Sequence, residues 1–142
     1  MKAEELMIGD WVQLPSIMSD EVFPIQVYEI LNDGVKYICG GKKMQVRFEH
    51  INPIPLTQDI LEKNGFEKFP FHHIKNKHVW SFHQDMKTFV DLTTRKLNDN
   101  TVDGWSISIS STCTSEMIHK IDYVHELQHT LKFCKIDKKI EL

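Results

Sequence analysis

At 142 residues and 16.7 kDa, with 41% hydrophobic and 26% charged residues, the chain has the size of one globular domain and is too apolar for a disordered segment. Its 20 acidic and 17 basic residues leave a net charge of −3, which excludes a global field drawing in phosphate backbones and disfavours nucleic acid as a partner. Met1-Lys2-Ala3-Glu4-Glu5 lacks the basic start and apolar run of a signal peptide, and no stretch reaches the ~20 apolar residues of a membrane helix, so a cytoplasmic protein away from the membrane is expected.

The first fifty-odd residues read as short strands broken by turns. Trp11-Val12-Gln13-Leu14 follows Gly9-Asp10, and Ile25-Gln26-Val27-Tyr28-Glu29-Ile30 alternates at period two, as a strand with one buried face should. Asn32-Asp33-Gly34 signals a hairpin, since Asp and Gly tolerate the positive φ that such turns require. Val35 to Cys39, a Gly40-Gly41 turn and Met44 to Phe48 complete a meander compatible with a small SH3-like barrel. Pro53-Ile54-Pro55-Leu56 is rigid and cannot continue a ladder, so it is expected to bridge two lobes.

Thr57 is a suitable N-cap for a short helix through Asn64, with Gly65 as its C′ residue and Ile60 and Leu61 on its apolar face. Strand signal returns at His78 to Phe82, Thr88 to Leu92 and Trp105 to Ile109, with a further extended piece at Met117 to Lys120. The last periodic segment, about Ile121 to Cys134, is a helix whose Val124, Leu127, Leu131 and Cys134 recur at spacings of three and four. The expected fold is α+β and a single domain over 1–142, with an SH3-like β lobe at 1–52 and a helix, antiparallel strands and C-terminal helix at 53–142.

Within that last helix stands His125-Glu126-Leu127-Gln128-His129. The pattern serves zinc peptidases because residues four apart share a helix face, so both imidazoles reach one metal while the Glu polarises bound water. A third ligand is also required. Metzincins place a His six residues after the second one, where this chain has Lys135. Only 13 residues follow His129; among them Glu141 is the sole Glu, and Asp137 lies too close along the chain to return from a separate helix. On a helical wheel the two histidines point roughly 140–160° from the apolar stripe, toward water unless the N-terminal lobe covers them. His125, Glu126 and His129 are therefore weak candidates for a metal site and are expected to be solvated or interfacial residues; no catalytic residue and no cofactor is implied.

The other chemistry-bearing residues are less organised. His72-His73, His78 and His83, with Asp85, cluster in one stretch, but adjacent strand residues face opposite ways. Cys39, Cys113 and Cys134 contain no Cys-x-x-Cys pair and read as free thiols, buried or partly so. Trp11, Trp80 and Trp105 read as anchors of the core or of a lobe interface. Lys36, Lys42, Lys43 and Arg47 form the one local basic group, a possible contact patch for nucleic acid or nucleotide, weighed against a solvated charged hairpin.

Three stretches, "EELMIGDWV" (4–12), "INPIPLTQDILEKNGFEK" (51–68) and "IDYVHELQHTLKFC" (121–134), together resemble a group of small uncharacterised proteins of gut-commensal bacteria and their phages or integrated elements. The resemblance implies no particular activity. In that group the position of Glu126 is often Gln, whose amide cannot serve as a general base, so it points away from proteolysis. Three functions are expected in descending order: a non-enzymatic binding or adaptor protein with a protein partner, nucleic-acid or nucleotide binding through the N-terminal lobe, and a zinc-dependent hydrolase.

Overall fold

The structure is a computed structural model that describes residues 1–16, 21–69, 78–85, 88–97, 101–111 and 114–142. The chain divides into two compact units, the first made of Met1–Pro55 and Tyr123–Phe133, the second of Leu56–Asp122 and Cys134–Leu142. The fold is α+β, with mostly antiparallel strands and a helix near the C-terminus, as the sequence indicates. The C-terminal helix groups with the N-terminal strands, whereas the sequence placed it with 53–142. Among the described residues no helix is long and apolar enough to cross a membrane.

In the first unit, β1 (Trp11–Pro15) pairs with β2 (Val22–Gln26) on one side and with the two-residue β6 (Asn52–Pro53) on the other. A second sheet runs β3 (Glu29–Ile30), β4 (Gly34–Cys39), β5 (Lys42–Arg47). The segment read as one strand over 25–30 is thus two, β2 and β3, the first paired to β1 and the second to β4. Leu6, Val12, Ile25, Val27, Val35 and Ile51 form the buried cluster: Val12, Ile25 and Val35 are inward positions of β1, β2 and β4, and Leu6, Val27 and Ile51 come from the segments between elements. Pro53 does enter a ladder, opposite Val12, but only in this short terminal strand, where its carbonyl accepts from Gln13 Nε2 at 3.2 Å and no donor is demanded of it.

Two glycine turns in this unit work differently. Gly40 and Gly41 have φ of 56° and 76°, the pair of positive values that a two-residue hairpin between right-twisted strands needs. Gly34 belongs to β4 and is not among the residues with positive φ. Its reason is space, because a β-carbon there would overlap the carbonyl oxygen of Val46 across the ladder. The turn itself is closed by Leu31 N–H donating to Gly34 O at 2.8 Å.

The second unit is a five-stranded antiparallel sheet in the order β11 (Thr114–Ile121), β10 (Thr101–Ser111), β9 (Thr88–Leu97), β8 (Val79–His83), β7 (Glu67–Phe69), with the helix α1 (Gln58–Lys63). Thr57 caps α1 as expected, its Oγ1 accepting from Ile60 N–H at 3.3 Å, and Gly65 follows with φ of 75°. Trp80 and Trp105 are buried and meet edge to face at 5.2 Å; Trp80 Nε1 donates to Glu62, and Trp105 Nε1 to the carbonyl of Leu56. Residues 135–142 dock in this unit: Ile136 and Ile140 are buried, and Asn64 exchanges two 2.8 Å hydrogen bonds with the backbone of Glu141.

Candidate functional site

The helix α2 (Val124–Phe133) carries the His-Glu-x-x-His sequence. Its apolar stripe is buried as the periodicity requires: Val124, Leu127 and Leu131 are 0–1% exposed. Of the two alternatives for the opposite face, the structure has it covered by the N-terminal segment: His125 is only 6% exposed and His129 is partly so. The cover is the turn at Met7 to Trp11, in the same unit. Gln128 clamps it with both ends of its amide, Oε1 accepting from Trp11 N–H at 3.0 Å and Nε2 donating to Gly9 O at 3.1 Å. His129 Nε2 lies 2.7 Å from Oδ2 of Asp10, a carboxylate that is itself buried and also accepts from Met7 N–H at 2.7 Å. A single helix periodicity reports which face is apolar; it does not report that a Gly-Asp turn over a hundred residues away satisfies the polar face.

Two of the three side chains that zinc chemistry would use, Glu126 and His129, are engaged in such bonds. The Glu126 carboxylate accepts from Tyr123 N–H at 3.1 Å, the position of the third helical residue reaching back to its N-cap. It holds the first turn of α2. Among the described residues no three His, Cys, Asp or Glu side chains converge as a metal site. Glu141, the acid considered as a third ligand, belongs with the second unit.

His125 is the unsettled member of the group. Its ring stacks on Tyr123 at 5.9 Å and meets His129 edge-on at 5.7 Å, and its Nδ1 is buried without a hydrogen-bond partner among the described residues. Burial pushes its pKa below the usual 6.5; the carboxylates of Asp10, Glu126 and Glu5 pull the other way, and His129 adds to the fall. A histidine whose folded-state pKa is depressed binds fewer protons folded than unfolded, so the stability linked to it is present above about pH 6.5 and is lost as pH falls through its folded-state value. The denaturant midpoint of the first unit is therefore expected to drop between pH 7.5 and 5.5. His125→Phe keeps the ring and removes the proton, so it should flatten the part of that slope due to this residue; an unchanged slope would show that other groups set it.

The basic group is brought together in part. Register across β4 and β5 places Lys36 opposite Gln45, Ile38 opposite Lys43 and Gly34 opposite Arg47, so Lys36, Lys43 and Arg47 share the outer face while Lys42, opposite Cys39, lies on the other. Three of the four are engaged. Lys36 pairs with Glu29 at 3.0 Å, Lys43 Nζ sits 4.9 Å above the Tyr28 ring, and Arg47 approaches Glu49 at 3.8 Å. Exposed apolar side chains stand on both faces: Ile38, 56% exposed, shares the face of Lys43, with Tyr28, 45% exposed, beneath that lysine, and Met44, 46% exposed, shares the face of Lys42.

The remaining candidates are structural or lie elsewhere. His78 packs against Trp80, and His83 against Phe89 and Phe69. His72, His73 and Cys113 lie outside the described residues. Cys39 is exposed at the end of β4, contrary to the expectation of a buried thiol, because the Gly40-Gly41 turn carries it past the core; Cys134 is half-buried, and burial pushes its thiol pKa up. No protein-family model, no curated protein and no solved structure matches this chain.

Proposed function

We propose that this is a non-enzymatic binding module of the cytoplasm that engages a protein partner through the β4–β5 hairpin of its first unit. One observation carries the reading: Glu126, Gln128 and His129 of the His-Glu-x-x-His segment are engaged in internal bonds, while the hairpin exposes Ile38 beside Lys43 and Met44 beside Lys42, with Tyr28 under the Lys43 ammonium. Binding surfaces on small domains combine such apolar and aromatic residues with a polar rim. The strand order of the first unit, with a 3-10 turn at Phe48–His50 before β6 returns to β1, supports an SH3-like reading of residues 1–52. A phage or mobile-element origin rests on the resemblance of the three sequence stretches.

The test is position-specific. A photo-crosslinking amino acid at Ile38 is expected to give a discrete adduct in cells that naturally carry the gene, and one at the exposed Lys63 of α1 to give none. Equal adducts at both positions, or none at either, would refute it.

A further inference from the structure

We infer that the outer edge of β5 accepts an extended segment of the partner protein as an additional strand, and that this segment alternates acidic and apolar residues. The inference rests on the binding-module reading above and names the partner's chemistry. β5 ends its sheet, beyond β4, and five of its six residues are exposed. Its pairing with β4 runs without a bulge from Lys42 to Arg47, and it contains no proline. Among the described residues no backbone hydrogen bond outside the sheet reaches these six. Such a straight edge presents unpaired N–H and C=O groups, the template for strand addition.

Charge decides between occupants. From Gly34 to Phe48 the sequence has four cations and no Asp or Glu, in a chain whose net charge is −3. A second copy pairing edge to edge would set Lys42, Lys43 and Arg47 against their own kind, so the lysines that guard against self-association favour an anionic strand. The pleat then fixes the spacing. An added strand places one set of alternate side chains beside Lys43, Gln45 and Arg47, and the other set beside Lys42, Met44 and Val46. Carboxylates suit the first face. Apolar residues suit the second, where Met44 is half exposed and Val46 continues to the buried Val35 opposite it.

The full chain is titrated with three fluorescent peptides of equal length: alternating Glu and Val, the same residues as a Glu block followed by a Val block, and alternating Lys and Val. Anisotropy is followed to Kd values of about 1 mM. The alternating acidic peptide is expected to bind at least tenfold more tightly than the other two, with amide shifts confined to β4 and β5. The charge-reversed variant K43E/R47E, altered only at exposed positions, should prefer the Lys-Val peptide. Equal binding of the alternating and block acidic peptides would reduce the site to a charged patch and overturn the inference, as would tighter binding of an oligodeoxythymidine. Absence of peptide binding, with a crosslink still formed at Ile38, would overturn strand addition while leaving the binding-module reading in place.

Discussion

Asp10→Ala is expected to destabilise the first unit by about 3 kcal/mol, the range for removing one partner of a buried hydrogen-bonded charged group. The substitution strips the acceptor from Met7 N–H and from His129 Nε2 at once, while the main-chain bond from Asp10 N–H to Met7 O can persist. The upper end of the range is not expected, because His129 is 25% exposed and water can replace part of what it loses. A double-mutant cycle with His129→Ala separates the pair from the turn: coupling of about 1–2 kcal/mol means that the contact itself holds α2 to the turn. Near-zero coupling with a large Asp10→Ala cost would assign the whole effect to Met7 and the local turn. The same logic covers the metal question. Zinc coordinated by His125 and His129 would displace His129 from Asp10, and the linkage of binding to stability would raise the melting temperature. Zinc is expected to leave it unchanged.

How far the fold can be read from sequence depends on the range of the interaction that sets each feature. The Thr57 cap, the Gly65 terminus, the Gly40-Gly41 turn and the Val124, Leu127, Leu131 stripe are local, and each stands where the residues indicate. The first unit runs through Pro55 and not to residue 52, because Pro53 still pairs with Val12. What could not be read is non-local. The sequence leaves His129 solvated or interfacial because the partners of Gln128 and His129, namely Gly9, Asp10 and Trp11, stand more than a hundred positions earlier. For the same reason sequence order groups α2 with the strands that precede it, although it belongs to the first unit. At the hairpin the cations were legible as a group, but whether they were engaged depended on Glu29, Tyr28 and Glu49, which only the register brings near.

Gly34→Ala is expected to cost the first unit about 3 kcal/mol or more, the upper end for overpacking, because what the new methyl meets is backbone. Its β-carbon would overlap Val46 O and come within 2.9 Å of Arg47 Cα and Val46 C, none of which can swing aside as a side-chain tip would. Relief requires β4 and β5 to part at this pair, one step from the buried Val35–Val46 contact. Gly41→Ala is the matched control, since its φ is 76° and a β-carbon there meets nothing within 4 Å. It should cost only the left-handed strain, about 1 kcal/mol. Hydrogen exchange gives the spatial readout: Gly34→Ala should release the amide of Val46, which faces β4, before those of β1, and Gly41→Ala should leave it protected. If the two substitutions cost the same, the demand at Gly34 is ordinary turn chemistry and the close approach to Val46 is relieved by a small shift. If Gly34→Ala costs the larger amount and also abolishes binding of the alternating acidic peptide at a temperature where the unit remains folded, the registered β4–β5 pair is what the partner reads.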